Sequence, residues 1–289
     1  MKTLKKYTDF INENLRHRPI MRYYAFDWDD NILMMPTKIR MEHLVDGEWI
    51  PEQVSTEKFA IVRNDKENWR VEKDKKGNIT AYLEFRDFGP RGKNAFMEDM
   101  KTALDNGKFG PSWKKFLQCL INGNIFAIIT ARGHEPEVIR EGVEYIIDEF
   151  LTEEEQNEMA ANLMGFRHLF DEEDILENIS FEHLVEDYLD YCDFIGVTSD
   201  SFAKKQGGGD PGSPEKLKIA ALNDFIEKIE YYGEEVGGEV RLGFSDDDPK
   251  NVENVEKHFG EISPLYKEII FNVINTNDPN IEGGVKKRI

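Results

Sequence analysis

The sequence is poor in the residues that build disulfide frameworks and zinc sites. It contains only 2 cysteines in 289 residues, Cys119 and Cys192, which cannot form a disulfide framework and do not make a C-x-x-C motif. Its 6 histidines are scattered singly, without the H-x-H or H-E-x-x-H spacing of metal-binding motifs. These absences argue against a disulfide-rich protein and against a zinc protein.

Long apolar segments are also missing. No apolar run approaches the roughly 20 residues of a membrane span. Residues 1–19 lack the apolar stretch that is typical of a secretion signal. The sequence therefore predicts a cytoplasmic protein with no membrane partner.

Positive charge is scarce relative to negative charge. There are 37 Lys and Arg residues against 57 Asp and Glu residues, which gives a formal net charge of −20. Such an acidic surface repels a phosphate backbone, so non-specific nucleic-acid binding is not expected. The 19 Phe, 10 Tyr and 4 Trp residues are nevertheless enough to build a hydrophobic core. We expect one large domain, or a core domain that carries an insertion.

Five short and nearly continuous apolar runs predict strands that are buried on both faces of a parallel sheet. These runs are residues 23–26, 125–129, 194–197, 240–244 and 269–274. Segments with helical periodicity lie between them, and Ser213-Pro214 predicts the start of one of these helices. Strands that alternate with helices predict a doubly wound, Rossmann-like α/β fold with a five-stranded parallel sheet.

A first insertion is predicted directly after the first core strand. Two pairs of strand-like segments there are separated by turn signals, Asp46-Gly47 in the first pair and residues 75–78 in the second. The first pair comprises residues 38–45 and 48–54, and the second comprises residues 69–73 and 79–85. We therefore expect a β-rich cap or flap over residues 34–111.

A second insertion is predicted at residues 148–190, which are acidic and have helical periodicity with an apolar face. It is either a solvated helical insertion or a surface that binds a partner. The α/β core would then comprise residues 20–33 and 112–289.

Acidic residues follow the first and the fourth predicted strands. Asp27-Trp28-Asp29 follows the first strand, and Asp246-Asp247-Asp248 follows the fourth strand. Ligands of α/β folds bind at the edge formed by the carboxyl ends of the strands. Alternate residues of an extended chain point the same way, so the side chains of Asp27 and Asp29 should share a direction.

Other polar residues fall at the same predicted edge. Thr130 and Arg132 come at the end of the second strand, and Lys216 and Lys218 open the helix that precedes the fourth strand. We expect the carboxylates, the Thr130 hydroxyl and one ammonium group to line one cleft. Arg132 either binds a second anion of a substrate or is a solvated loop residue.

These motifs resemble those of the haloacid dehalogenase superfamily, which is dominated by phosphatases. The resemblance covers residues 20–33 and 112–275. The first motif is matched by the run Asp27-Trp28-Asp29-Asp30-Asn31-Ile32 and the second by Thr130. The third is matched by Lys218 or Lys216. The fourth is matched by Asp246 and Asp247, with Asp248 as a spare acidic residue beside them. The residues after Lys218 favour it over Lys216. The chain departs from the usual pattern at Asn31, where Thr is commoner, and at Ser245, where Gly is common.

The resemblance implies a role for each of these residues. Asp27 would be the nucleophile that forms an aspartyl-phosphate, and Asp29 would be the general acid and base. Lys218 and Thr130 would hold the transferring phosphoryl oxygens, while Arg132 and Lys216 are the candidates for binding the rest of the substrate. An Asp at the position of Asp29 argues against the ATPase branch of the superfamily, which has Thr there.

The predicted cleft brings several carboxylates and a substrate phosphate together, so we expect a bound cation to offset their repulsion. At about 4 Å and an effective dielectric constant near 20, each pair of like charges costs roughly 4 kcal/mol. Oxygen ligands without His or Cys favour Mg²⁺ over zinc. The predicted metal ligands are Asp27, Asp246, Asp247 and Asp29, the last through its backbone carbonyl.

The sequence thus predicts a Mg²⁺-dependent phosphatase that acts on a small phosphorylated metabolite or nucleotide. A phosphotransferase is a close variant of this hypothesis. The alternative from another class is a catalytically inactive binding or scaffold protein that keeps the fold. Trp28 is expected in the core and His134 at the surface. The physiological substrate and the oligomeric state are left open.

Overall fold

The computed structural model describes residues 20–170, 179–207, 213–236 and 239–289. The strands are β1 (Ile20–Phe26), β2 (Ile39–Val45), β3 (Glu48–Val54), β4 (Trp69–Val71), β5 (Phe126–Thr130), β6 (Asp193–Gly196), β7 (Glu239–Asp246), β8 (Ile269–Asn275) and β9 (Val285–Arg288). The α-helices are α1 (Thr56–Val62), α2 (Asn94–Asp105), α3 (Trp113–Ile121), α4 (Pro136–Phe150), α5 (Glu153–Phe170), α6 (Phe181–Asp190), α7 (Asp200–Lys205), α8 (Pro214–Val236) and α9 (Pro249–Ile262).

The main sheet has six strands in the order β6-β5-β1-β7-β8-β9 and is mostly parallel. Its first five strands pair in parallel, and each overlaps one of the five predicted apolar runs. The sequence predicts five strands, so β9 is an addition, and it pairs antiparallel with β8. Three of its four residues are basic and all four are exposed, so β9 lacks the apolar pattern of a buried strand. The molecule is a mixed α/β protein, as the sequence predicts.

The central strands form the middle of the hydrophobic core. All five residues of β5 are buried, and Ala25 of β1 lies between Ala127 and Phe244 of the neighbouring strands. Strands covered on both faces have no solvent side, which explains why their sequences are continuous apolar runs. Helices α3, α4, α8 and α9 contribute buried residues to the same core cluster.

A second sheet of three antiparallel strands, in the order β3-β2-β4, follows β1 in the chain. The predicted hairpin with Asp46-Gly47 at its turn is confirmed, since Val45 pairs with Glu48. Both turn residues have positive φ, 53° for Asp46 and 85° for Gly47, as a type I′ turn requires.

The second predicted hairpin is wrong for most of its length. Only one bridge, between Lys73 and Ile79, continues it, and Leu83–Phe85 forms a 3-10 helix. The apolar side chains of this segment, Ala81, Tyr82 and Phe85, pack into a small cluster under the second sheet. They therefore do not alternate between two faces as a strand would need.

The predicted insertion also contains two helices, α1 and α2, that the sequence analysis does not identify. Helix α1 begins after Ser55, whose side chain caps it by accepting a hydrogen bond from the Lys58 backbone N–H at 3.2 Å. Helix α2 buries Phe96, Met100 and Leu104 in the main core cluster. The main core thus includes a helix from the segment 34–111.

The acidic region 148–190 is helical, as the sequence predicts. Helices α5 and α6 account for it, and Met159 and Leu163 of α5 are buried in the main core. Residues 171–178 of this region lie outside the described residues. No helix in the described part of the chain is long and apolar enough to cross a membrane.

Candidate active site

The two acidic segments meet because β1 and β7 are neighbours in the sheet. Phe26 pairs with Ser245, and the Asp27 backbone N–H donates to the Ser245 carbonyl at 2.9 Å. Asp27 therefore leaves β1 beside Asp246, the last residue of β7. One carboxylate oxygen from each of Asp27, Asp246 and Asp247 lies within 4.8 Å of the other two. Two segments more than two hundred residues apart thus supply one acidic cluster at the carboxyl edge of the sheet.

The structure brings one of the two candidate lysines into this cluster. The Lys218 Nζ atom lies 2.8 Å from Asp27 Oδ1 and 2.8 Å from Asp246 Oδ2. Its side chain, from the first turns of α8, is only 3% exposed. Lys216 is exposed to solvent, because residues two apart on a helix point to nearly opposite sides. The predicted substrate-binding role of Lys216 therefore has no support in its position.

The carboxylate of Asp246 is fixed by further donors. It accepts hydrogen bonds from the Asp248 backbone N–H at 2.9 Å and from Asn251 Nδ2 at 3.1 Å to each oxygen. Asn251 lies in the first turn of α9, and no sequence motif pointed to it. Asp248 caps α9 and forms a two-pronged ion pair with Arg63 at 2.9 and 3.2 Å. Asp248 is thus committed to other partners and is not a spare ligand.

Burial and mutual repulsion raise the pKa values of two of these carboxyl groups. Burial raises the pKa of Asp27 to about 8, with Lys218 opposing and Asp246 adding to the shift. Burial raises the pKa of Asp247 to about 9, with a further contribution from the charge of Asp246. Burial would lower the pKa of Lys218, but Asp246 and Asp27 raise it above its usual value. Lys218 alone does not compensate three carboxylates.

The residues fit a hard divalent cation. Asp27 Oδ1 is buried and, apart from the ion pair with Lys218, accepts no hydrogen bond. A buried carboxylate oxygen with unused lone pairs is a position where a cation supplies the missing partner. The three converging groups are all oxygen donors, which suits Mg²⁺. Asp27, Asp246 and Asp247 are the side chains that would hold it.

Asp29 has a different partner from Asp27. Its two oxygens accept hydrogen bonds from Arg132 Nε at 2.8 Å and from Arg132 Nη2 at 2.7 Å. The guanidinium is only 1% exposed and lies over the rings of Phe85 and Phe96, at 4.7 and 5.5 Å from their centroids. The interpretation of Arg132 as a solvated loop residue is wrong. The reason is that residues from the predicted insertion cover it.

The Arg132 ion pair continues into a buried polar chain. Arg132 Nη2 also donates to Thr37 Oγ1 at 2.8 Å, and Thr37 donates to Asp99 Oδ2 at 2.6 Å. Asp99 in turn pairs with Arg91 at 2.7 Å. Sequence spacing gives no signal for these contacts, because Thr37 is 62 residues from Asp99 and 95 residues from Arg132 in the sequence.

Two further side chains near the site test expectations from the sequence. His134, expected at the surface, is 0% exposed, and its Nδ1 lies 2.7 Å from Asp87 Oδ1. That expectation is wrong because Phe96 of α2 packs over the imidazole ring. Trp28 is buried in the core, as predicted.

Asn31 connects the two segments that carry the aspartates. Its Nδ2 donates to the Asp27 carbonyl at 2.9 Å and to Ser245 Oγ at 2.8 Å. Its Oδ1 accepts from Thr276 Oγ1 at 2.8 Å. Asn31 and Ser245 are the two positions that depart from the usual motif pattern, and they contact each other. The departures are therefore complementary, and together they fix the turn that carries Asp27.

A cavity of about 390 Å³ opens above this cluster. Asp27, Thr130 and Lys218 line one end, and Asp29 and Arg132 also border it. The opposite wall is built by side chains of the segment 34–111: Ile39, Thr56, Phe59, Arg63, Tyr82, Phe85 and Arg86. Thr130 is buried at the end of β5 with its hydroxyl 3.4 Å from the Arg132 backbone N–H. The site is thus enclosed between the main sheet and the segment that follows β1.

Similarity to known proteins does not identify this site. Comparison with family models, with curated proteins and with solved structures finds no match to the chain. What the site can do therefore follows from its own residues.

Proposed function

We propose that this protein is a Mg²⁺-dependent phosphomonoester hydrolase of the haloacid dehalogenase type, with a Rossmann-like parallel core. It would act in the cytoplasm on a small phosphorylated metabolite or nucleotide. The observation that carries the proposal is the convergence of Asp27, Asp246 and Asp247 within 4.8 Å, with the Lys218 ammonium 2.8 Å from two of them. The order of the five parallel strands supports it, because ligands bind at the carboxyl ends of strands in open α/β sheets.

Asp27 is the proposed nucleophile. One of its carboxylate oxygens attacks phosphorus, the bond from phosphorus to the ester oxygen breaks, and an aspartyl-phosphate forms. Water then attacks the same phosphorus and releases inorganic phosphate and the Asp27 carboxylate. A bound Mg²⁺ would supply charge neutralisation for the phosphoryl oxygens. Lys218 holds the Asp27 carboxylate in place, and the Thr130 hydroxyl at the same end of the cavity can donate to a phosphoryl oxygen.

Asp29 is the proposed acid and base. In the ion pair with Arg132 it is a carboxylate, the form that accepts a proton from the attacking water. Both Asp29 oxygens are used as acceptors by Arg132. To protonate the leaving oxygen, Asp29 must therefore release one oxygen from Arg132 and take up a proton from water when the substrate enters; the carboxylate left after that transfer then accepts the proton of the attacking water. Arg132 is accordingly proposed to position Asp29 rather than to bind a second anion.

Hydrolysis of para-nitrophenyl phosphate tests this function. We expect turnover with Mg²⁺, its loss in EDTA, and recovery when Mg²⁺ is added back. Asp27→Asn should reduce kcat by more than about 10³-fold, because the nucleophile is removed. The exposed Asp105 provides a matched control, and Asp105→Asn should keep wild-type activity. Turnover that survives Asp27→Asn would refute the nucleophile, and Mg²⁺ binding without turnover of any phosphomonoester would favour the scaffold alternative.

A further inference from the structure

The cavity above the acidic cluster has two chemically different ends. One end is charged and comprises Asp27, Lys218 and the hydroxyl of Thr130. The other end is formed by Ile39, Phe59, Tyr82 and Phe85, which pack in one small cluster. A phosphoryl group at Asp27 would therefore have its ester substituent directed toward aromatic side chains.

The aromatic end is held in shape by its own packing. Phe59 and Tyr82 meet edge to face, with ring centroids 6.0 Å apart. Both rings pack against the small cluster of Ile39, Met41, Val54 and Ala81, and Phe85 joins them there. Each of these rings is half-buried, so one surface is left for a ligand. A wall that is already ordered loses little conformational entropy when an aromatic ligand binds.

The cations that border the aromatic end already have anionic or carbonyl partners. Arg63 is paired with Asp248, and Arg86 Nη1 donates to the Thr198 carbonyl at 3.1 Å. Arg132 is paired with Asp29. Among the described lining residues, no arginine or lysine outside the Asp27 end lacks such a partner. Arg63 and Arg132 are thus compensated by carboxylates, and Arg86 is the lining arginine at this end whose described hydrogen-bond partner is a neutral carbonyl.

Two of the hydroxyl groups at this end are also engaged. Thr198 Oγ1 donates to the Ala131 carbonyl at 3.0 Å, and Thr56 is hydrogen-bonded to Asp30. A polyol or sugar substituent would lose water on entering and would find these two hydroxyls already paired. The aromatic lining therefore favours a substituent that is flat and largely apolar.

We propose that this cavity selects phosphomonoesters of aromatic alcohols, with the phosphoryl group at Asp27 and the ring between Phe59, Tyr82 and Phe85. The position of the phosphoryl group rests on the proposed function, while the selection of the ring rests on the aromatic wall. The segment 34–111 is then the part of the chain that determines the substrate.

Binding is measured without turnover, so that the selectivity for aromatic esters can be tested independently of the proposed phosphatase activity. Calorimetry with Asp27→Asn in Mg²⁺ gives the dissociation constants of 2-naphthyl phosphate and of glycerol 2-phosphate without hydrolysis. We expect the naphthyl ester to bind at least about 10-fold more tightly, because its rings are buried against aromatic side chains. Equal affinities, or no binding of either ester, would overturn the inference.

The ring contact is tested with Phe59→Leu, which keeps an apolar side chain in the small cluster and removes the ring. This substitution, made in the Asp27→Asn background, should reduce the preference for the naphthyl ester to less than about 3-fold. Ile61 on the same helix is 74% exposed and does not line the cavity, so Ile61→Ala should keep the full preference. An unchanged preference in Phe59→Leu would contradict the position assigned to the ring.

Turnover by the wild-type protein separates this inference from the proposed function. Tight binding of the naphthyl ester without hydrolysis of either ester would refute the phosphatase and leave the aromatic selectivity standing. Hydrolysis of both esters with equal kcat/KM, together with equal affinity, would refute the selectivity and leave the phosphatase standing.

Discussion

Asp27 and Asp29 are two residues apart but belong to clusters of different charge balance. The Asp27 cluster contains three carboxylates and one ammonium, from Asp27, Asp246, Asp247 and Lys218. With all three carboxyl groups ionised, its formal charge, one positive against three negative, is −2. Apart from the ion pair with Lys218, Asp27 Oδ1 in this cluster accepts no hydrogen bond. The proposed cation would supply the further partner and the compensating charge.

The Asp29 cluster contains two carboxylates and two guanidinium groups, from Asp29, Asp99, Arg132 and Arg91. The formal charge of these four residues is 0, Thr37 links their two ion pairs, and the exposed Glu98 also pairs with Arg91. Both clusters contain buried carboxylates, so burial alone does not mark a ligand site. The contrast supports the proposed site at Asp27, because the carboxylates there are the ones whose charge the chain itself leaves uncompensated.

Among the substitutions, Lys218→Met should cause the largest loss of turnover and of stability. The substitution removes the only cation of the Asp27 cluster, so turnover should be lost and the free energy of unfolding in EDTA should fall by about 3–5 kcal/mol. Saturating Mg²⁺ should restore a large part of this stability, since it also compensates the carboxylates. Denaturant unfolding with and without Mg²⁺ measures both effects. Lys216→Met, on the exposed side of the same helix, should leave stability unchanged, and a loss that Mg²⁺ does not reduce would contradict the account.

Arg132→Met should destabilise the protein by about 3 kcal/mol, because Asp29 and Thr37 lose a buried partner. Mg²⁺ should not reduce this loss, since the Asp29 cluster is not the cation site. The half-exposed Arg70, which pairs with Glu42, provides the control, and Arg70→Met should cost less than about 1 kcal/mol. If Mg²⁺ restored the stability of Arg132→Met, the claim that only the Asp27 cluster binds the cation would be wrong.

Asn31→Ala should cost about 1–3 kcal/mol, because it removes the described partner of the buried Thr276 hydroxyl and leaves Ser245 Oγ with only Ser112 Oγ. Ser245→Ala should have a smaller effect in the same direction. The double variant should be less destabilised than the sum of the two single variants, because both remove the same hydrogen bonds. Additive losses in the unfolding free energy would show that the two residues act independently.

The last expected effect concerns the protein without substitutions, whose stability in EDTA should depend on pH. The pKa values of Asp27 and Asp247 are raised in the folded protein to about 8 and about 9, above the usual 3.8. The folded state then binds more protons than the unfolded state, so stability should fall as pH rises from about 4 through 8, by up to about 1.4 kcal/mol per pH unit for each proton. Saturating Mg²⁺ should flatten this slope, which unfolding curves at several pH values would detect. A slope of the opposite sign in EDTA would contradict the burial of uncompensated carboxyl groups.

The sequence is sufficient to predict the five parallel strands and the meeting of Asp27 with Asp246. Continuous apolar runs report burial on both faces, and the carboxyl ends of neighbouring parallel strands necessarily lie at one edge. The preference for Lys218 over Lys216 agrees with the position of both side chains, because only one of them faces the sheet.

The environment of Asp29 could not be predicted in the same way. Its partner Arg132 follows β5, but the cover of Arg132 comes from Phe85 and from Phe96 of α2, in the segment treated as a β-rich insertion. Such long-range packing leaves no periodic signal in the sequence. The same reason explains why the sequence places His134 at the surface, whereas β9 is not identified because its residues are exposed and mostly basic.

The most direct measurement is the position of a divalent cation in a crystal grown with Mn²⁺, found from its anomalous scattering. The account predicts one ion at the Asp27 cluster, coordinated by carboxylate oxygens of Asp27, Asp246 and Asp247. An empty Asp27 cluster at saturating Mn²⁺, or an ion bound at Asp29 in place of Arg132, would contradict it.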